Sequence, residues 1–395
     1  MTGPLFEVAD VIRMVKTGKS FKRFLESFTW EQIKVLRAIV CCRTSALGGH
    51  RDRCSDCGYT VAISYNSCRN RHCPKCQTNA RNKWLRNRQQ ELLPVEYYHL
   101  MFSVPHQLIP LMWQNKEILF DLMFKTAAAT LLEIAADPKH LGAKIGFFGI
   151  LHTWGQIMNR HPHIHFVVPG GGLSPDHTRW IPLRYRFLLP VQVLSKVFCG
   201  KFIDGLRQAF QKGQLSFHGK CKRLSDKAAF DSFLYTLSRQ DWVVYAKPPF
   251  GGPEHVLHYL GRYTHRVAIS NHRILSVSDS QVTFRWKDYK NNNKIRTTTL
   301  SCEKFLNRFL QHILPKGFMR IRHFGLLANR KRKELLAHCR VLLNYTPEPE
   351  PVDSFSESGV WKCPRCHGTM RVIARFSAFK VWLMNIANRE AIDTS

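Results

Sequence analysis

Two histidines at alternate positions are the first feature of this sequence with a chemistry attached to it. Residues 161–168 read HPHIHFVV, a run with the composition of a strand. Side chains alternate between the faces of a strand, so His163 and His165 point the same way while Ile164 packs on the opposite side. Two adjacent imidazoles supply half of a metal site. The alternative is a histidine-rich surface strand that binds nothing.

A pair of tyrosines on one helix face is the second candidate. The segment after Pro253 predicts a helix to about Thr264, because proline is favoured in a first turn. Tyr259 and Tyr263 are four residues apart and share one face of this helix. A tyrosine becomes a better nucleophile beside cations or a metal-polarised phosphate. The alternative is a pair of aromatic side chains in a core.

Closely spaced cysteines indicate metal binding. Cys54 and Cys57 form one CxxC turn, and Cys73 and Cys76 form another. Each turn aims two thiolates at one cation, and two turns complete a tetrahedral zinc site. We therefore predict one closed, structural Zn²⁺ site with these four ligands. The neighbouring candidates for a second zinc site are Cys42, His50, Cys68 and His72.

The charge of the chain indicates a polyanionic partner. With 59 Lys and Arg against 28 Asp and Glu, the formal net charge is +31, which favours a nucleic acid over a membrane surface as the partner. No apolar run is long enough to span a bilayer and no secretory signal is visible, so we expect a cytoplasmic, nucleoid-associated protein. The candidate DNA-binding residues are Arg69, Arg71, Arg81, Lys83, Arg86, Arg262, Arg266, Arg330, Lys331 and Arg332.

The predicted strands and helices indicate an α+β fold. Strands are predicted at 97–104, 144–154 and 163–168, with helices at about 111–136 and 191–212, and without regular βα alternation. We divide the chain into four parts. They are a helical and zinc-binding, DNA-binding domain (1–94), a mixed sheet and helix domain with the histidine and tyrosine pairs (95–300), a basic helical region (301–345), and a linker and tail (346–395) with a CPxC sequence at 363–366. That CPxC is either a degenerate knuckle or a further zinc site.

Three motifs together resemble a known family. The order CxxC…HCxxC, then HPHIH-x-x-VPGGG, then YLGRYTHRVAISNHRI is similar to that of the two-tyrosine HUH transposases of the insertion sequence 91 family. The resemblance extends over roughly residues 40–340, including LPKGFMRIRHFGLL at 314–327. It implies that residues 95–300 form an HUH nuclease domain built on a ferredoxin-like (RRM-like) antiparallel sheet, with the histidines on a central strand.

The resemblance also implies roles for residues. His163 and His165 match the metal-binding pair, and Tyr259 and Tyr263 match the paired nucleophiles. HUH enzymes add a third ligand, for which Gln156 is the first candidate. The next candidates are His152, His161 and Glu254. A mixed imidazole and oxygen site of this kind suits Mg²⁺ or Mn²⁺.

The implied function is rolling-circle transposition. The enzyme would nick and rejoin single-stranded DNA at the ends of an insertion sequence through 5′-phosphotyrosine intermediates. Three alternatives remain open: a replication initiator or relaxase with the same chemistry, a non-catalytic zinc DNA-binding regulator, and a metallohydrolase that activates water.

Overall fold

The computed structural model describes residues 4–16, 21–76, 82, 84–85, 87–183, 189–250, 255, 268–289, 291–328, 330–346, 362–382 and 384. The described strands, in chain order, are β1 Gly49–Cys54, β2 Ser64–Tyr65, β3 Tyr97–Ser103, β4 Gly146–Trp154, β5 Arg160–Pro169, β6 Gly171–Leu173, β7 Trp180–Pro182, β8 Val244–Phe250, β9 Ile274–Ser278, β10 Gln281–Asp288, β11 Lys294–Ser301, β12 Ile321–Gly325 and β13 Met370–Phe376. The described helices are α1 Val8–Lys16, α2 Phe21–Glu26, α3 Trp30–Cys41, α4 Ile109–Gln114, α5 Lys116–Ala136, α6 Val191–Gln211, α7 Lys227–Ser238, α8 Cys302–Leu310 and α9 Arg332–Leu342.

The chain forms two compact units, and both are discontinuous in sequence. The first unit contains residues 1–80, 265–310 and 347–395, and the second contains 81–264 and 311–346. These units differ from the continuous divisions expected at residues 94, 300 and 345. The reason is strand pairing between distant segments, because β1 pairs with β13 and β4 pairs with β12. Hydrophobic periodicity along a sequence does not reveal such pairing.

The second unit is built on a five-stranded sheet. The strands lie in the order β12-β4-β5-β3-β8, and every neighbouring pair is antiparallel. Together with the helices, this confirms a mixed α and β architecture with antiparallel sheets. The predicted strands at 97–104, 144–154 and 163–168 correspond to β3, β4 and β5.

One face of this sheet carries the main core of the second unit. Leu100 and Phe102 on β3, and Ile164 and Phe166 on β5, are fully buried in one cluster with apolar residues of α4–α7. The predicted helix at 111–136 is two helices in the structure. They are separated by Asn115, whose side chain bonds to the backbone of Ser216. That long-range contact was not visible in the sequence.

The opposite face of the sheet is divided between apolar and polar residues. Phe148 and Ile150 on β4 and Val167 on β5 join a second apolar cluster with residues of α9. On the same face, His152 lies two residues after Ile150 on β4, and His165 lies two residues before Val167 on β5. The histidines therefore occupy one end of a face whose other end is closed by hydrophobic packing.

The first unit combines helices with two small sheets. Its three-stranded sheets have the orders β13-β1-β2 and β11-β10-β9. A capping box fixes the start of α3, where the Thr29 hydroxyl accepts from the backbone of Gln32 and the Gln32 side chain accepts from the backbone of Thr29. In the described part of the chain, none of the helices has the length and apolar character needed to cross a membrane.

Candidate active site and metal centres

The β4–β5 hairpin brings three histidines together. His163 lies directly opposite His152 in the antiparallel register, and His165 follows two residues along the same face. Their candidate ligand atoms all lie within 4.8 Å of one another. All three side chains are buried, with relative exposures of 3%, 7% and 6% for His152, His163 and His165. We call these three residues the histidine triad.

Hydrogen bonds fix the orientation of two of these rings. Nδ1 of His163 lies 2.7 Å from the carbonyl oxygen of His161. Because a carbonyl only accepts, Nδ1 carries the proton and Nε2 keeps a lone pair. Nδ1 of His165 lies 2.8 Å from Nε2 of the buried His99 on β3. If Nδ1 of His165 donates to His99, Nε2 of His165 also keeps a lone pair for a cation.

Burial keeps the imidazoles of His99, His163 and His165 neutral. It lowers the pKa of His163 to about 3, with a further contribution from His161. The pKa of His99 is also lowered to about 3, mainly by burial and then by the charge of Lys247. Burial likewise places the pKa of His165 well below its usual value, and neighbouring histidines act in the same direction. Neutral imidazoles can accept a cation, whereas protonated ones repel it.

The described geometry places one of the predicted third-ligand candidates beside the histidine pair. Gln156 lies in the turn at 155–159 between β4 and β5, whereas His152 lies on β4 directly opposite His163. His161 contributes its backbone oxygen to His163. Glu254 lies outside the described residues. His152 is therefore the third ligand that the described geometry favours.

The first cysteine group lies at the end of α3. Its members are Cys42, Cys68, Cys73 and Cys76, with their sulfur atoms within 4.8 Å of one another. Sγ of Cys76 is 3.5 Å from Sγ of both Cys42 and Cys68. The backbone amide of Arg43 donates to the carbonyl of Asn66, which returns the loop carrying the last three cysteines to the helix end.

The second cysteine group joins two distant parts of the first unit. It consists of Cys54, Cys57, Cys363 and Cys366, also within 4.8 Å of one another. The structure therefore does not form the predicted four-cysteine site. It separates Cys54 and Cys57 from Cys73 and Cys76, because β1 pairs with β13 and carries its CxxC turn to residues 363–366.

Two histidines suggested for a second zinc site belong to neither cysteine group. Nε2 of His50, on β1, is 3.4 Å from a carboxylate oxygen of Asp52. The backbone amide of His72 donates to the Asn70 side chain. Among the described His, Cys, Asp and Glu residues, both cysteine groups consist of sulfur ligands.

The remaining predicted site residues are the candidate DNA-binding residues and the two tyrosines. Arg69, Arg71, Arg330 and Lys331 are exposed to solvent, whereas Arg332 forms an ion pair of 3.1 Å with Glu91. The other predicted positions lie outside the described residues, namely Tyr259, Tyr263, Arg81, Lys83, Arg86, Arg262 and Arg266.

His99 is a residue of the site that sequence reasoning missed. It lies in β3, which reads YYHLMFS, and it faces Val167 of β5. The sequence signal for His99 is a polar residue within a largely apolar strand, because a buried polar group needs a hydrogen-bond partner.

Known proteins are similar to this chain along nearly its whole length. Residues 146–334 match a family model described as "Putative transposase", and residues 14–104 match one described as "Transposase zinc-binding domain". A protein of Sinorhizobium fredii named "Putative transposase y4qJ" is 47% identical over 387 residues, covering 95% of this chain and 96% of that protein. The chain belongs to the insertion sequence 91 family of transposases.

A second relative agrees with this assignment. The "Transposase for insertion sequence element IS801" of Pseudomonas savastanoi pv. phaseolicola is 27% identical over 380 residues, covering 91% of the transposase described here and 88% of its own length. No solved structure matches the chain.

The two family matches cover different candidate sites of the transposase. The histidine triad lies within the match at 146–334, and the first cysteine group lies within the zinc-binding match at 14–104. This match and the cysteine groups indicate structural zinc. Cys363 and Cys366 lie outside both matched ranges.

Proposed function

We propose that this transposase cuts and rejoins single-stranded DNA at the ends of an insertion sequence through 5′-phosphotyrosine intermediates. The observation that carries the proposal is the buried histidine triad, which offers converging imidazole nitrogens on the β4–β5 hairpin. The relatives named as transposases support DNA as the substrate, and the net charge of +31 supports strong binding to it. Within this proposal, the enzyme acts on nucleoid DNA in the bacterial cytoplasm.

We further propose that the second unit contains a ferredoxin-like arrangement. In chain order, β3, β4, β5 and β8 are separated by helices after the first and third strands. Across the sheet these strands lie in the order second, third, first, fourth, and all pairs are antiparallel. This βαββαβ order is that of ferredoxin-like folds. β12 then adds a fifth strand beside β4.

The donor set of the histidine triad fits a divalent cation. His152, His163 and His165 would hold it through ring nitrogens. Imidazole favours transition metals over Mg²⁺, so of the two ions expected from the sequence Mn²⁺ fits better. When bound, such an ion supplies Lewis-acid polarisation of the scissile phosphate.

The nucleophiles in this proposal are Tyr259 and Tyr263, on the basis of their spacing and of the family resemblance. A tyrosine oxygen attacks the phosphorus of the scissile phosphodiester, and the bond from phosphorus to the 3′ oxygen breaks. The phenolic proton is released, and the departing 3′ oxygen takes up a proton to become a hydroxyl. Because one phosphodiester replaces another, a 3′-hydroxyl can later reverse the exchange and join a new strand without ATP.

Residues beside the histidine triad are suited to hold the DNA strand. Met101 of β3 pairs with His165 on one side and with Tyr245 of β8 on the other, so the three side chains share one face of the sheet. Tyr245 is 48% exposed, which leaves its ring available for base stacking. Lys247 follows two residues later, and its charge lowers the pKa of His99 and His165. It would pair with a backbone phosphate.

The test is covalent capture of DNA. The purified protein is mixed with Mn²⁺ and labelled single-stranded DNA from the end of the flanking element, and a denaturing gel separates free DNA from protein-linked DNA. We expect an adduct with the unchanged protein. We expect none with the Tyr259→Phe/Tyr263→Phe variant, because its hydroxyl nucleophiles are absent.

Matched variants of the hairpin test the ligand assignment in the same assay. His152→Ala removes a ligand and should lower the adduct yield by about 100-fold or more at limiting Mn²⁺. Gln156→Ala, in the adjacent turn, should stay within a few-fold of the unchanged protein.

Each alternative function predicts a different gel. A metallohydrolase would still cleave the DNA after both tyrosines are replaced. A non-catalytic regulator would bind the DNA tightly and give no adduct. A replication initiator would form an adduct with a replicon origin in preference to the element ends.

A further inference from the structure

We propose that Cys54, Cys57, Cys363 and Cys366 form a second structural zinc site, which fastens the segment 362–376 onto β1. This site is independent of the DNA chemistry proposed above. It would make a segment outside both matched ranges an integral part of the zinc-binding unit.

The two halves of the site have the same backbone turn. In the first half, the amide of Gly58 donates to the carbonyl of Cys54 at 3.2 Å, and in the second the amide of His367 donates to the carbonyl of Cys363 at 2.9 Å. The amides of Asp56 and Arg365 donate to the first sulfur of their own turns, each at 3.4 Å. Such amide-to-sulfur bonds stabilise thiolates that bind a metal.

The fifth position of each turn adopts a left-handed backbone conformation. The φ angle of Gly58 is 72° and that of His367 is 60°. This conformation is natural for glycine but costs a residue such as histidine about 1 kcal/mol. The second turn therefore has the same backbone geometry as the first, with histidine in the place of glycine.

The spacing of the sulfur atoms fits one zinc ion. Sγ of Cys54 is 3.5 Å from Sγ of Cys366, and Sγ of Cys57 is 3.5 Å from Sγ of Cys363. Four sulfurs placed tetrahedrally at about 2.3 Å from zinc lie about 3.8 Å apart. A disulfide would instead require a sulfur–sulfur distance of about 2.05 Å. The observed distances agree with four separate thiolates around one cation.

Contacts between the two turns hold them at this distance. The amide of Ser55 donates to the carbonyl of Thr369 at 2.9 Å. A side-chain carbon at Gly368 would lie 2.1 Å from a carboxylate oxygen of Asp56, so the two turns approach each other closely here. The guanidinium of Arg365 lies 4.9 Å from the centre of the Tyr59 ring.

Among the described residues, the apolar packing directly around these turns is small. The buried cluster consists of Cys54, Cys363 and Met370, with Tyr59 and Val61 packed against it. So small a core contributes only a few kcal/mol, and small modules of this kind usually depend on a structural metal. A bound zinc ion would supply the missing stabilisation.

Zinc stoichiometry in variants of the full chain tests the proposal. Zinc per chain is measured by mass spectrometry of the metal after exhaustive dialysis. We expect Cys54→Ser/Cys57→Ser, Cys363→Ser/Cys366→Ser and the quadruple variant each to contain one zinc fewer than the unchanged protein. The equal loss in all three follows from a single site with four ligands. The Cys199→Ser/Cys221→Ser control, in the second unit, should lose none.

Two other outcomes would overturn the proposal. If the Cys363→Ser/Cys366→Ser variant keeps its full zinc content, residues 54 and 57 have other co-ligands. If the quadruple variant loses two zinc ions, each CxxC turn binds its own metal.

Alkylation of the unchanged protein keeps the test decisive even if a variant fails to fold. Cys57 and Cys366 are exposed, so without a metal both thiols are accessible to iodoacetamide. In the zinc-loaded protein we expect both to be protected, and to become reactive together when a chelator removes the metal. Rapid labelling of either thiol before chelation would contradict the proposed site.

Discussion

The hydrogen bond between His99 and His165 illustrates how a buried polar residue orients a candidate metal ligand. Metal-binding histidines generally bond through their second ring nitrogen, and this partner fixes the tautomer that faces the metal. For His165 the partner is Nε2 of His99 at 2.8 Å, and for His163 it is the carbonyl of His161. In our account His99 is a positioning residue that does not contact the DNA.

Replacing His99 should therefore weaken metal binding without removing a ligand. We expect His99→Phe to lower the affinity of the histidine triad for Mn²⁺ by roughly 10- to 100-fold, because the acceptor for Nδ1 of His165 is lost. His99→Gln, which restores an acceptor oxygen, should recover part of the loss. Titration of the zinc-loaded protein with Mn²⁺, followed by electron paramagnetic resonance, measures the affinity.

The neighbouring Tyr98→Phe variant is the control for this prediction. Tyr98 belongs to the main core on the opposite face, and its hydroxyl bonds to Glu96. It should bind Mn²⁺ normally. An unchanged affinity of His99→Phe for Mn²⁺ would contradict the positioning role of His99.

The exposed ring of Tyr245 is the proposed stacking site for a base of the DNA strand. Tyr245→Ala should weaken binding of single-stranded DNA by about 1–3 kcal/mol, the usual range for loss of one stacked base. Tyr235→Ala is the matched control, since Tyr235 is exposed on α7. Fluorescence anisotropy with a labelled oligonucleotide measures both. Equal affinities in the two variants would argue against a strand path across the histidine face.

At the scale of elements, the β4–β5 pair determines whether the histidine triad forms. Gly149 of β4 lies opposite Phe166 of β5, and a side-chain carbon at Gly149 would come within 2.5 Å of the Phe166 ring. Close approach of the two strands therefore depends on this glycine. A shift in their register would move His152 away from His163.

The same substitution at two glycines should have opposite effects. Gly149→Ala should destabilise the protein by about 1–3 kcal/mol through overpacking. Gly200→Ala should stabilise it by about 0.5–1 kcal/mol, because Gly200 lies within α6 with open space beside it and alanine favours a helix. Urea unfolding midpoints compare the two. Equal midpoints would show that the strands separate easily at Gly149.

The positions of the strands could be predicted from the sequence better than the pairing between distant segments. Alternation alone placed His163 and His165 on one face, and the strands at β3, β4 and β5 are confirmed within a few residues. The role of His152 depends on cross-strand register, which a single sequence does not show. The wrong grouping of Cys54 and Cys57 has a similar cause, because their partners lie more than 300 residues away.

At the scale of the whole molecule, buried neutral histidines make stability depend on pH. His312 is fully buried, with Nε2 3.0 Å from the carbonyl of Met158 and Nδ1 3.2 Å from the Thr153 hydroxyl. Burial lowers its pKa to about 3. The unfolded chain, with a histidine pKa of about 6.5, therefore binds more protons as the pH falls below that value, and stability is lost.

The share of His312 in this loss can be measured. Between pH 7 and pH 5 we expect His312 to account for about 2 kcal/mol of the decrease in unfolding free energy. The slope of unfolding free energy against pH should become shallower in His312→Gln by that amount. His218→Gln, at an exposed position, should keep the original slope. Identical slopes in both variants would mean that His312 is protonated in the folded protein.

The most direct test of the central claim is to locate the DNA on the protein. The adduct formed with Mn²⁺ and single-stranded element-end DNA is digested with trypsin and nuclease, and mass spectrometry identifies the modified residue. We expect a nucleotide 5′-phosphate on Tyr259 or Tyr263, and a released strand whose free 3′-hydroxyl a polymerase can extend. A nucleotide on any other residue, or cleaved DNA that never becomes attached to the protein, would contradict it.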